Sequence, residues 1–201
     1  METYDSAPET KAHISRVNQL LSFAAMNLLK RGQEHDQSKL GPLEKPWFDK
    51  FTPKLRSLTY GSDEYKQALQ KLKPALENHY KANSHHPEHY SYLVCNGCFK
   101  EFREGNVWYE RSALNPRPYL PLNGRCDACG YGQFQTETDV AKMDLFDLIE
   151  MLMDWLAAVE RHQDGSIIES LKHNRERFKI GDQLYEILYN HVERYHNPLR
   201  Q

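Results

Sequence analysis

The chain has 201 residues, 39% of them hydrophobic and 27% charged, with 26 Lys and Arg against 28 Asp and Glu for a net charge of −2. That length buries a core of its own, and that composition excludes a disordered chain or a fibrous repeat. The near-balance of charge excludes a global pull toward nucleic acid or anionic membranes, so whatever the chain binds it binds locally.

No stretch reaches the roughly 18 consecutive apolar residues of a spanning helix. Leu20 to Leu29 comes nearest and is broken by Ser22 and Asn27. The opening, Met1 to Lys11, is polar and acidic where a secretion signal is cationic and then apolar, so the expected location is cytoplasmic. In that reducing compartment four cysteines arranged as two Cys-x-x-Cys pairs point to metal before disulfide.

From Ala12 to Lys30, Ile14, Val17, Leu21, Ala24, Ala25 and Leu28 recur at three and four, one face of an amphipathic helix that Arg31-Gly32 ends. His13 falls on that apolar stripe, where a core histidine is the plain reading. His35-Asp36-Gln37-Ser38-Lys39 follows, then short helical pieces around Pro42, Pro46 and Pro53. Ser62 to Ser84 predicts a helix capped by Ser62 or Asp63, interrupted at Pro74 and stopping near His85-His86 because Pro87 disfavours helical geometry before it. Between Ser91 and Val140 glycines, prolines, all four cysteines and alternating aromatic runs predict turns and small strands. Helices resume at Met143 to Val159, Ser166 to Phe178 and Asp182 to Tyr195. The expectation is a mainly α domain, residues 1–90 and 141–201, interrupted by a small β-rich insertion at 91–140.

In that insertion Cys95-Asn-Gly-Cys98 and Cys126-Asp-Ala-Cys129-Gly130 each make a knuckle that presents two thiolates to one tetrahedral Zn²⁺. Four cysteines close such a site, so the zinc is structural and its binding is coupled to folding of the insert. Phe99, Phe102, Trp108, Tyr109, Tyr119, Tyr131 and Phe134 offer stacking surfaces for nucleic acid. From Ser91 to Ala141, however, five Lys and Arg face six Asp and Glu, so no phosphate-tracking stripe exists and a structural or protein-contact role is favoured.

Met143 to Val159 is apolar nearly all round, as in a buried helix, yet Asp147, Glu150 and Asp154 share one stripe at spacings of three and four. Buried carboxylates repel one another unless a cation or a metal compensates; the alternative is a solvated acidic face. His79, His85, His86, Glu88 and His89 cluster near the end of an earlier helix, and His35-Asp36 adds a pair. Imidazole and carboxylate together suit Zn²⁺, Mn²⁺ or Fe²⁺, and the supply is enough for one or two ions. Ser170, Asn174 and Arg177, at i, i+4 and i+7 on a later helix, form a polar face suited to phosphate or ribose, or a plain solvated face.

His35-Asp36 with Ser38-Lys39 resembles the His-Asp signature of HD-domain metal-dependent phosphohydrolases, and His85-His86-Pro87-Glu88 resembles the His-His-Glu stretch of their cyclic-dinucleotide branch. Asp154 stands where such proteins carry a late Asp ligand. The order HD-x-SK, HHPE and DL-x-EM-x-x-DW is more closely similar to a small uncharacterised family common in phage genomes, across most of the chain except the cysteine insert. The resemblance implies an HD-like helical bundle carrying an inserted zinc ribbon, in the host cytoplasm if phage-encoded. It implies a divalent-metal-dependent phosphohydrolase acting on a nucleotide or small phosphoester, with His35, Asp36, His79, His86 and Asp154 as ligands to one or two ions (Mn²⁺, Mg²⁺, Fe²⁺ or Zn²⁺). Asp147 and Glu150 then orient histidines from outside the ligand set, and Lys39 neutralises phosphate. The rival expectation is a non-catalytic zinc-ribbon adaptor that docks on a protein or nucleic acid. Oligomeric state is not readable from the sequence.

Overall fold

The helices form where apolar residues recur at three and four, and in three of the described ones a short polar side chain, Ser62, Asp144 or Ser166, caps the first turn. The computed structural model describes residues 4–58, 62–103, 124–161 and 165–196. Among these it has six α-helices and one three-stranded sheet. Among the described residues no helix is long and apolar enough to cross a membrane. The chain divides into two units, residues 1–35 and 36–201.

The first unit is one helix, α1 (Ala7–Glu34), longer at both ends than the Ala12 to Lys30 periodicity predicts. Gly32 does not stop it, and His35 is its C-cap. The expected apolar face is not buried: no residue of α1 is, and His13 is exposed rather than a core histidine.

The second unit opens with a 3-10 turn, Gln37–Leu40, and α2 (Lys45–Arg56), whose buried Phe51 packs with Leu72 and Ala75 of α3 (Asp63–Ala82). Ser62 caps α3, its hydroxyl accepting from Tyr65 N at 3.1 Å. Pro74 lies inside α3, which continues through it as one helix rather than restarting there. The buried positions Ala68, Leu72, Ala75 and His79 follow the helical repeat, so His79 occupies the last turn of an apolar stripe.

After Asn83 the chain turns back through a second 3-10 turn, Pro87–Tyr90, into β1 (Ser91–Cys95). β1 pairs antiparallel with β2 (Glu101–Phe102) on one side and β3 (Phe134–Thr138) on the other, with Leu93 opposite Phe102 and Thr136. Leu93, Phe102, Cys95 and Cys126 form a small core with Phe134 against it.

The main core belongs to the last three helices, α4 (Leu145–Val159), α5 (Ile167–Phe178) and α6 (Asp182–Tyr195). Met151, Leu152 and Leu156 meet Leu171 and Phe178, and Tyr185, Leu188 and Val192 close the cluster. Each such fully buried side chain contributes about 1.5–3 kcal/mol. α4 starts on a reciprocal cap: Asp144 Oδ1 accepts from Asp147 N at 2.8 Å while Asp147 Oδ2 accepts from Asp144 N at 3.2 Å.

Candidate metal centre

Three imidazoles converge on one carboxylate oxygen. Nε2 of His79, His85 and His86 lie 3.1, 3.6 and 4.0 Å from Oδ1 of Asp36, and His79 Nε2 is 2.8 Å from His86 Nε2. The reversal after α3, not a longer helix, is what brings His86 back onto His79.

The far sides of two of these rings also meet carboxylates. His79 Nδ1 is 3.1 Å from Oε2 of Glu44, a fully buried residue whose Oε1 accepts from Asn78 at 2.6 Å and whose Oε2 accepts from Ser38 at 3.0 Å. Asn83 donates to Ser38 Oγ at 2.8 Å and completes the network. His85 Nδ1 is likewise 3.0 Å from Oε1 of Glu150 on α4. A carboxylate only accepts, so Glu150 favours a proton on His85 Nδ1 and an Nε2 lone pair facing inward, whereas His79 has a carboxylate at each nitrogen, Glu44 at Nδ1 and Asp36 at Nε2. Lone pairs aimed at a carboxylate oxygen repel one another unless positive charge lies between them. Ligand atoms around a divalent ion with bonds of about 2.0–2.2 Å stand roughly 3–3.4 Å apart; the 3.1 Å between His79 and Asp36 falls in that range, and the other separations, 2.8–4.0 Å, lie to either side of it. The mixed nitrogen and oxygen donors suit Zn²⁺, Mn²⁺ or Fe²⁺.

The groups around the centre also act on one another electrostatically. Burial raises the Asp36 carboxyl, but hydrogen bonding from His79 and the Lys39 charge outweigh it and hold the group well below the usual carboxylate range. Burial, then the charges of His85 and His79, push the His86 imidazole down to about 3, against the pull of Asp154 and Asp36. Lys39 Nζ contacts Asp36 Oδ2 at 2.5 Å, lies 5.2 Å over the Phe48 ring and keeps about a third of its side chain in solvent.

Of the residues singled out in the sequence, Asp36, His79 and His86 therefore come together, Glu150 orients a histidine, and Asp154 acts on His86 through its charge. His35 closes α1 as its C-cap. The other named residues have partners of their own. Asp147 anchors a loop: its two oxygens accept from the Ser84 and Tyr90 hydroxyls at 2.6 Å each, on either side of His85-His86. On the later helix Asn174 is buried and donates to Ser170 Oγ at 3.3 Å, while Arg177 is exposed and pairs with Glu88 at 2.6 Å. His89 is exposed, its Nδ1 3.0 Å from the Tyr80 carbonyl. Sequence reasoning missed Glu44, Asn78 and Asn83 and left His85 open. A buried Glu shortly after His-Asp carries no periodic signal.

The four cysteines form a separate cluster. Cys95 and Cys129 Sγ are 3.6 Å apart, as are those of Cys98 and Cys126, and all four lie within 4.8 Å of one another, a set that can hold a metal ion. Burial raises the Cys95 thiol, but the N–H groups of Cys98 and Gly97 outweigh it and bring it down to about 7. Trp108, Tyr109 and Tyr119, named above as stacking surfaces, lie outside the described residues.

No curated protein and no solved structure matches the chain. A family model, described as a family of unknown function (DUF5662), matches residues 2–107 and 131–197, leaving between them the stretch that holds Cys126 and Cys129. With both matched segments covering most of its length, the chain belongs to that family.

Proposed function

We propose that the chain is a divalent-metal-dependent phosphohydrolase of HD-like architecture, acting on a nucleotide or a small phosphoester. The observation that carries this reading is the convergence of His79 Nε2 and His85 Nε2 on Asp36 Oδ1, with Glu44 and Glu150 behind the two rings. Asp36, His79, His85 and His86 hold the ion, with Asp154 completing the set from α4. An ion bound there supplies positive charge that acidifies water and draws in a phosphate oxygen. Lys39, tethered by Asp36 yet partly in solvent, neutralises phosphate charge as substrate enters. Glu44 and Glu150 keep both rings in the ligating tautomer throughout.

The cysteine cluster holds zinc in an inserted ribbon, as a structural staple. Four thiolates at about 2.3 Å from one ion stand roughly 3.8 Å apart, close to the spacing observed. The reducing cytoplasm, where such thiolates stay free, is the location that suits it.

The test is turnover. Native protein with zinc retained should release phosphate or nucleoside from a nucleotide panel with added Mn²⁺, Mg²⁺ or Fe²⁺, and Asp36→Asn should abolish it. No turnover on any substrate with any of these metals overturns the reading. Metal counting separates it from a zinc-ribbon adaptor: an enzyme keeps a second metal after Cys95→Ser, an adaptor keeps none.

A further inference from the structure

Three imidazoles face Asp36, and what stands behind them differs. His79 and His85 each turn Nδ1 toward a carboxylate, Glu44 and Glu150. The His86 ring is walled by other rings: His85 lies 4.2 Å from it, centroid to centroid, and Tyr80 lies 5.0 Å from it at an inclination of 57°. Tyr80 follows His79 in α3, and its ring is 6.0 Å from that imidazole as well. A further tie comes from α5. Arg177 donates to Oε1 of Glu88 at 2.6 Å, a contact 89 residues apart in sequence, and Glu88 is the second residue after His86. Burial and the Glu88 charge push the Tyr80 phenol up, while Arg177 opposes them through its charge and a hydrogen bond. One guanidinium therefore meets both the loop that carries His86 and the ring that walls it.

α5 shares its core with α4, Leu171 and Phe178 packing with Met151, Leu152 and Leu156. Since α4 also carries Glu150 and Asp154, Arg177 joins the histidine loop to the body that supplies these acids. We infer that Arg177 is a positioning residue of the metal centre: by holding Glu88 and Tyr80 together it fixes the angle at which His86 meets the ion. The inference rests on the metal centre proposed above, though not on the reaction assigned to it. A residue that orients a ligand from outside changes metal affinity without touching the metal.

The test titrates Co²⁺ into full-length protein stripped at this centre, with zinc kept on the cysteines, and follows the ligand-field bands. Arg177→Met keeps an apolar stem against the Phe178 ring, which lies 4.6 Å from the guanidinium carbon. It should weaken Co²⁺ binding about 10-fold and shift the bands. Arg177→Lys, which keeps a positive charge opposite Glu88, should recover most of the affinity. Glu88→Gln should match Arg177→Met, and the two together should lose no more than either alone, because they act through one contact. Affinity and bands equal to wild type in Arg177→Met and in Glu88→Gln overturn the positioning role and leave the centre standing. Losses that add in the double variant overturn it too. A wild type that takes up no Co²⁺ removes the centre itself, and the proposal with it.

Discussion

Glu44 has no exposed surface, and its Oε2 lies 3.1 Å from Nδ1 of His79. A carboxylate in that place favours the tautomer with the proton on Nδ1, whose opposite nitrogen can ligate a metal. Glutamine is nearly isosteric but brings an amide that donates, and its N–H₂ facing Nδ1 would turn the protonated nitrogen toward Asp36. Glu44→Gln should therefore weaken metal binding at this centre by about 10–100-fold while leaving the cysteine-bound metal in place. Titration of metal into the stripped protein checks it; an unchanged affinity would show that the tautomer is set elsewhere.

Asp147 makes a different kind of prediction, because it touches the loop on both sides of the histidines instead of the rings. Ser84, Tyr90 and the N-terminus of α4 all spend donors on it. Asp147→Ala strands those donors in a buried setting and removes half of a reciprocal cap. A loss of about 3 kcal/mol in unfolding free energy is expected. Urea denaturation with unchanged slope would register it; a loss under about 0.5 kcal/mol, the range of an ordinary surface substitution, would contradict the anchoring role.

Much of the helical frame was legible from periodicity. The range read for α6, Asp182 to Tyr195, coincides with the helix, and α4 and α5 begin within two residues of their expected starts. Pro74 misled because a proline inside α3 sacrifices one hydrogen bond without breaking the apolar stripe that Leu72, Ala75 and His79 continue. The acids on α4 stood out as anomalies, but not their partners: Ser84 and Tyr90 for Asp147, His85 for Glu150. Such pairings depend on how the chain reverses after Asn83, which no local pattern encodes. Glu44 was invisible for the same reason, lying far from His79 in sequence and having no stripe of its own. α1 failed in the opposite sense: its apolar repeat predicted a buried face, and none of its residues is buried.

The His86 imidazole, pushed down to about 3 by burial and by its neighbouring histidines, links stability to pH. In the unfolded chain the group titrates near 6.5. Between these values the unfolded state holds a proton that the native state lacks, so stability is full above about 6.5 and is lost as pH falls. In metal-stripped protein this group should contribute a loss of about 2 kcal/mol between pH 6.5 and pH 5. Asp36, also depressed, acts in the same direction but only below the ordinary carboxylate range, outside that window. Urea midpoints of wild type and His86→Gln across pH 5–7.5 separate the two; equal acid sensitivity in the variant would sink the assignment.

The cysteine knuckles hold two glycines for different reasons, and substituting each should fail differently. A Cβ on Gly97 would stand 2.9 Å from Tyr131 Cβ and 3.3 Å from Cys129 Sγ, closer than packed atoms tolerate. Gly97→Ala must push Tyr131 or the Cys129 thiolate out of place, a cost of about 1–3 kcal/mol that appears as roughly 10–100-fold weaker zinc binding. Gly130 has open space around its missing side chain but a φ of +73°, so Gly130→Ala meets only backbone strain, about 1 kcal/mol. Competition with a chromophoric chelator should rank zinc retention as wild type, then Gly130→Ala, then Gly97→Ala, with the metal at Asp36 and its histidines unaffected. The reverse order would mean that Tyr131 yields freely and that backbone conformation, not crowding, governs the knuckle.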